Sequence, residues 1–405
     1  MTKISQFSAK RLNSLDPNGT VFAEYTALAN KHKAVNLGQG FPTLHVADFI
    51  RKNAAEAIAH ESLGHQYTRS EGHVKLVNAL AKYYSPKIGR ELNPLNEIMT
   101  TVGASEAIYS TIQALVDPDD EVILMQPYYD SYPASISLAG GKPVIVSLKP
   151  KANGVSSSDW RLDIAELKKA ITSKTKIIMI NNPNNPIGKV WSRDELMQVA
   201  DIAKEHDLLV IADEVYETLV YSDSESPMIK FASLPDMYER TITIGSMGKM
   251  FGVTGWKIGW VIAPPEITRA SWLVHQFLPF SVVTPLQEAG ANSLEMAMTN
   301  GYFEDTTKTY QKLRDKLMKT LNDVGFHPMK PDGGYFIIAN IAPFKVQEDF
   351  SAYLTKTVGV TSIPMRAFYQ KNSHGEVQHY VRFAFCKDEA TLDEAGKRLT
   401  EYFTK

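Results

Sequence analysis

From residue 97 to residue 264 the sequence alternates short, continuous apolar runs with stretches of helical spacing, and no other feature restricts the fold as much. The runs are "EIMTTVG" (97–103), "EVILMQP" (121–127), "KPVIVSL" (142–148), "TKIIMINNP" (175–183), "DLLVIADE" (207–214), "RTITIGS" (240–246) and "KIGWVIAP" (257–264). Helical patterns such as "SEAIYSTIQALV" and "RDELMQVADIAKEHD" lie between them. A strand with one wet face alternates apolar and polar residues; these runs do not. They predict strands buried on both faces of a mostly parallel sheet, covered by helices on either side. Beyond about residue 296 the pattern changes to a long polar helix (302–324), the turn "KPDGG", the strands "YFIIANI" and "HYVRFAF", and a last helix "DEATLDEAGKRLTEYF". That order describes a smaller α+β unit. The expected division is 1–45 as an N-terminal arm that joins the small domain, 46–295 as the large domain, and 296–405 as the C-terminal small domain.

The remaining bulk properties exclude function classes. The formal net charge of -2 offers no basic surplus for nucleic acid. No apolar run approaches the roughly 20 residues of a membrane span. One cysteine, Cys386, rules out a disulfide framework within the chain and a zinc site built on cysteines, and favours a reducing, cytoplasmic setting. The N-terminus carries Lys3, Lys10 and Arg11 with no acid before Asp16; a transit peptide is conceivable, and an exposed arm is the preferred reading.

In an open parallel sheet, ligands bind beyond the carboxyl ends of the strands. Three of the runs end in chemistry-bearing residues. "TKIIMI" ends in Asn181, with Asn185 close behind; "LLVIA" ends in Asp213, Glu214 and Tyr216; "TITIG" ends in Ser246 and Lys249. "EVILM" leads into the aromatic "QPYYDSY", and "IMTTV" into Gly103-Ala104-Ser105 at a helix start, where free backbone N–H groups favour an anion. Each feature alone is what any surface or turn presents. Their convergence on one sheet edge is what points to a site. "GSMGKM" (245–250) resembles a Walker motif only in part: Thr243 stands where the first glycine belongs and Met250 where the metal-binding hydroxyl belongs. "GQGFPT" lacks the third glycine of a dinucleotide fingerprint and opens no helix.

Taken in order, "NLGQGFP" (36–42), "QYTRSEGH" (66–73), "VGASEAIY" (102–109), "PYYDSY" (127–132), "NNPNNPIGKV" (181–190), "ADEVY" (212–216), "SMGKMFGVTGWKIGW" (246–260), "GGYF" (333–336), "IPMRAFY" (363–369) and "YVRFAF" (380–385) resemble the fold type I enzymes of pyridoxal 5'-phosphate, in the class I/II aminotransferase family. The subgroup most similar contains kynurenine/glutamine aminotransferases, which are also cysteine-conjugate β-lyases, and bacterial methionine aminotransferases. The resemblance implies an α/β fold with a large cofactor domain and a smaller α+β domain. It makes Lys249 the Schiff-base lysine, Asp213 the partner of the pyridine nitrogen, and Tyr216 and Asn185 the partners of the phenolic oxygen. Tyr128 is implied to stack on the ring, and Asn181 to lie near it. Ala104, Ser105, Ser246 and Lys257 are implied to hold the phosphate, with Tyr67 reaching the phosphate of a partner subunit in a homodimer.

For the substrate, the resemblance implies Arg382 on the α-carboxylate, with Gly40 and Asn185 beside it, and Phe22 and Phe280 in the side-chain pocket. Arginine suits a carboxylate because its donors form a fork. No second arginine stands out for a dicarboxylate. Ser281 and Met250 depart from the kynurenine branch, which typically carries histidine and threonine there. The reading is transfer of the amino group of a neutral, apolar or aromatic L-amino acid (methionine, phenylalanine, tyrosine, kynurenine or glutamine) to a 2-oxo acid. β-Elimination on cysteine conjugates with the same cofactor is the alternative. A third reading is a non-catalytic regulator of the same fold joined to a DNA-binding segment; the roughly 40 residues before the fold show no helix-turn-helix pattern and no basic cluster.

Overall fold

The computed structural model describes residues 8–59, 62–344, 349–371, 373 and 377–404. The first seven residues of the expected arm, Lys3 among them, lie outside the described residues. The chain opens with α1 (Val21–His32), β1 (Val35–Asn36), α2 (Asp48–Ala59) and α3 (Val74–Ile88). The alternating region follows as β2 (Ile98–Val102), α4 (Gly103–Leu115), β3 (Glu121–Gln126), α5 (Ser131–Leu138), β4 (Lys142–Pro150), β5 (Trp160–Leu162), α6 (Ile164–Ala170), β6 (Thr175–Asn181), α7 (Arg193–Glu205), β7 (Leu209–Asp213), β8 (Thr241–Ser246), α8 (Met247–Met250) and β9 (Ile258–Ile262). Then come α9 (Pro265–His275), α10 (Thr284–Ala297) and α11 (Tyr302–Asp323). The last part comprises β10 (His327–Met329), β11 (Phe336–Asn340), α12 (Phe350–Tyr353), β12 (Val360–Thr361), β13 (Ile363–Pro364), β14 (Tyr380–Ala384) and α13 (Glu389–Phe403).

The large sheet runs β2-β9-β8-β7-β6-β3-β4-β5. Strands β8, β7, β6, β3 and β4 are parallel, whereas β9 is antiparallel to both its neighbours. The continuous apolar runs have a direct cause. Ile177, Met179, Ile211, Ile242 and Ile244 enter one core, while Ile178, Ile180, Val210 and Ala212 enter another on the opposite face. With both faces dry, a period of two leaves no polar position. Helix α7 shows how local chemistry sets a boundary. Ser192 and Glu195 cap each other's backbone N–H groups at 3.3 and 3.0 Å, a reciprocal arrangement that starts the helix at Arg193.

A second, antiparallel sheet runs β10-β11-β14-β13. The N-terminal segment attaches to this part of the chain: β1 pairs in parallel with β12, and the Ala384 N–H donates to the Leu37 carbonyl at 2.6 Å. Among the described residues no helix is long and apolar enough to cross a membrane.

Register decides what meets at the sheet edge. Asn181 lies opposite Asp213, Asp213 opposite Ile244, and Ser246 opposite Gly259. Because β6, β7 and β8 are parallel, their polar carboxyl ends form one row. Helix α4 starts at the same edge, since Val102 pairs with Ile258. A Cβ on Gly259 would come within 2.5 Å of the Gly103 carbonyl carbon, so only glycine lets the start of α4 pass over β9.

Candidate active site

Beyond this edge lies a cavity of about 410 Å³, closed on the far side by the N-terminal segment and the second sheet. Phe22, Gly40, Ala104, Ser105, Asn181, Asn185, Asp213, Tyr216, Ser246, Lys249, Lys257 and Arg382 all line it. Segments separated by hundreds of residues therefore converge as their strand ends implied.

At one end stands an anion cradle. Helix α4 begins with no side-chain cap, so the N–H groups of its first turn face the cavity unclaimed. Lys257 adopts a left-handed backbone (φ 54°), and its Nζ lies 3.2 Å from where a Cβ on Gly103 would stand. A glycine there leaves room for the ammonium to sit over the helix start. Ser105 and Ser246 supply hydroxyls to the same end. Uncapped N–H groups, two hydroxyls and an ammonium fit a phosphate.

The middle of the cavity holds the titratable pair. Asp213 is buried, and burial pushes its carboxyl up; the Tyr132 hydroxyl, donating at 2.5 Å, and the Val215 N–H, at 3.3 Å, oppose that. A buried carboxylate of this kind is complementary to a cationic ring N–H. The Asn181 amide is already committed: it donates to the Asp213 carbonyl at 2.9 Å and accepts from the Asn185 N–H at 2.6 Å. It shapes the turn that presents Asn185. Lys249, on α8, is brought down to about 8, chiefly by burial, with Arg382 and Lys257 pushing the same way and Asp213 opposing.

This shift has a consequence for stability. In cofactor-free protein between pH 8 and 10.5 the unfolded chain holds the lysine proton and the folded chain has released it. Stability therefore rises with pH across that window, and below it the fold carries the full cost of a buried cation. Lys249→Met is expected to stabilise cofactor-free protein by up to about 3 kcal/mol at pH 7, the gain fading by pH 10.5. Urea unfolding of both proteins at several pH values measures it; a gain independent of pH would contradict the cause given.

At the other end Arg382 is 1% exposed and has no acidic partner within ion-pair distance among the described residues. It donates to Asn185 Oδ1 at 2.9 Å and to the Gly38 carbonyl at 2.6 Å, and its Nε has no hydrogen-bond partner. Its guanidinium carbon lies 3.9 Å from the Phe336 ring centroid and 5.2 Å from that of Phe22. Burial lowers it to about 10. A buried cation without a counter-charge costs several kcal/mol, and a bound anion would offset that cost.

Three expected site residues do not line the cavity of this chain. Tyr128 packs in the core below it, its N–H on the Phe368 carbonyl at 3.0 Å; the neighbouring Tyr129 faces the cavity instead. The expectation of Tyr128 as the stacking ring is corrected to Tyr129, because consecutive residues in extended chain point to opposite sides. Tyr67 (82% exposed) and Phe280 (48%) lie outside and pack edge to face with ring centroids 5.2 Å apart. Sequence reading missed Asp130, Tyr132 and Phe336, all of which line the cavity. For Tyr132 a signal existed, since it follows Tyr129 at helical spacing in "PYYDSY".

Known proteins carry the same organisation. Residues 32–399 match the family model described as aminotransferase class I and II. Kynurenine–oxoglutarate transaminase of Dictyostelium discoideum is 42% identical, with 96% of this chain and 95% of that protein aligned. Kynurenine–oxoglutarate transaminase 1 of Homo sapiens is 40% identical over 98% of both. The structure of an Escherichia coli protein with a methionine aminotransferase function superposes with a TM-score of 0.89 at 31% identity, covering 97% of this chain and 99% of that one. A chain with these ordered motifs, this sheet and this cavity, matched over more than nine-tenths of its length, belongs to the class I and II aminotransferase family.

Proposed function

We propose that this aminotransferase uses pyridoxal 5'-phosphate to move the amino group of a neutral, apolar or aromatic L-amino acid to a 2-oxo acid. The observation that carries the reading is a buried amine that is readily neutral, Lys249, placed between an anion cradle and an unpaired buried guanidinium in one cavity. The cofactor, when bound, supplies an aldehyde and an electron-withdrawing ring that make the Cα–H bond of an amino acid acidic.

Each residue then has a task. The α4 start, Ser105, Ser246 and Lys257 would hold the phosphate. Asp213, steadied by Tyr132, would keep a proton on the ring nitrogen. Tyr129 would lie on the ring face, and Tyr216 and the Asn185 amide N–H groups would bond the phenolic oxygen. Arg382 would seat the substrate α-carboxylate. Neutral Lys249 would take the Cα proton and return it to the cofactor's aldehyde carbon. Borohydride reduction of the loaded protein, followed by peptide mapping, tests the assignment: the label is expected on Lys249.

The substrate class follows from the cavity's charges. Among the described residues the cations that line it are Lys249, Lys257 and Arg382, each already assigned. None of these is left for a side-chain carboxylate. Asp130 lines the same cavity, its carboxyl pushed up to about 6 by burial against the pull of Arg382. An acidic substrate side chain meets like charge there. Methionine and phenylalanine are expected to exceed aspartate and glutamate by about 10²-fold or more in kcat/KM, and Asp130→Asn to narrow that gap. A steady-state donor panel checks this.

The reading includes a homodimer in which Tyr67 and Phe280 serve the neighbouring subunit's cavity. In support, both stand exposed beside Phe277 (84% exposed), Leu278 and Val283, an apolar surface unusual for a lone chain.

A further inference from the structure

Tyr335 precedes β11 and is absent from the roles above. Its ring is completely buried, packed against Tyr216 with centroids 5.1 Å apart and against Tyr310 at 6.1 Å. Its hydroxyl donates to the Gly40 carbonyl at 2.6 Å. Lys249 Nζ lies 2.8 Å from the same hydroxyl oxygen and 3.4 Å from the same carbonyl.

The Tyr335 hydroxyl also hydrogen-bonds the Tyr216 hydroxyl. With the phenol's hydrogen on its 2.6 Å contact to Gly40, its oxygen accepts from Lys249. A neutral amine has two hydrogens and one lone pair. With one hydrogen on Tyr335 and the other turned to Gly40, the lone pair points away from both.

We propose that Tyr335 is a positioning residue for Lys249: its phenol oxygen holds the free amine so that the lone pair faces the substrate Cα. This rests on the reading of Lys249 as the reactive amine. The same contact joins the lysine to the substrate end, since Gly40 belongs to the segment whose Gly38 carbonyl accepts from Arg382. A Cβ on Gly40 would meet the Phe336 ring at 2.6 Å, so this segment is pressed against β11 and cannot drift from Tyr335.

Tyr335→Phe removes the oxygen and keeps the ring. The expected result is a fall in kcat of between about tenfold and a hundredfold, with KM for the amino donor within about twofold. A second readout uses cofactor-free protein. Pulse acylation with an amine-reactive ester across pH 6–10, with the Lys249 peptide quantified by mass, reports where the amine loses its proton. The charged groups facing it are Asp213 from β7, Lys257 from the turn before β9, Arg382 from β14 and the Cys386 thiol beyond it. All remain in the variant. Losing an acceptor that favours the ammonium is expected to lower the labelling midpoint by about one pH unit.

An unchanged midpoint overturns the proposal, even if kcat falls, because a merely structural role would leave it unmoved; so does kcat within twofold of wild type. Borohydride label on another lysine in the loaded wild-type enzyme overturns the Lys249 assignment, and this proposal with it. Label on Lys249 with no midpoint shift overturns this proposal alone. Should Tyr335→Phe fail to fold, 3-fluorotyrosine at 335 keeps the hydroxyl as a weaker acceptor; the midpoint is expected to move in the same direction, and no movement counts against the proposal.

Discussion

Lys249→Ala is expected to cost turnover about four orders of magnitude or more. The amine is assigned both covalent attachment and the proton transfer, and a positioned acid–base group alone contributes about 10²–10⁴. Loss of fold is not the cause expected. Alanine suits the short helix α8, and the side chain removed borders an open cavity, so no packed void results. Single-turnover mixing with methionine measures the loss, and near-ultraviolet circular dichroism checks the fold. Lys249→Arg separates chemistry from charge: it keeps the cation, but guanidinium stays protonated at any working pH. If a positive charge were all the site required, the arginine variant would retain most of the activity. The present reading expects it to be almost as inactive as the alanine variant.

Arg382→Met is expected to lower kcat/KM for amino donors by about 10²–10³, as removal of one member of a buried charged pair costs about 2–5 kcal/mol. The free protein should behave in the opposite sense. In the absence of substrate the guanidinium is a buried cation with no acid within ion-pair distance among the described residues, so methionine relieves a desolvation cost. Thermal unfolding of the ligand-free variant should show an unchanged or raised midpoint. A clearly lowered midpoint with little change in kcat/KM would make Arg382 a structural residue, fastened by Asn185 and Gly38, and would remove the carboxylate site from the mechanism.

Much of the candidate site was legible because parallel strands place their carboxyl ends in one row. Asn181, Asp213 and Ser246 close three separate apolar runs, and their convergence needs only that those runs be neighbours in one sheet. The helix start at Gly103 and the cation at Lys257 were legible for the same reason, as termini of elements at that edge. Tyr128 shows where the method stops. After β3 ends at Gln126, nothing local says which of two adjacent tyrosines turns inward, and the side is decided by the contact between the Tyr128 backbone and Phe368. Tyr67 and Phe280 belong together with equal clarity only in space, where their rings meet.

The amino-acid sequence alone determined the strands of the sheet and the order of its chemistry-bearing ends, because hydrophobic period and strand-end composition are local properties. Tertiary structure alone decided the hydrogen bonds that tune the site: Tyr132 on Asp213, Asn185 on Arg382, and Tyr335 between Lys249 and Gly40. Each joins segments 81 to 295 residues apart. Such contacts depend on how two sheets and the N-terminal segment pack at once, and no periodicity within any one segment carries that information.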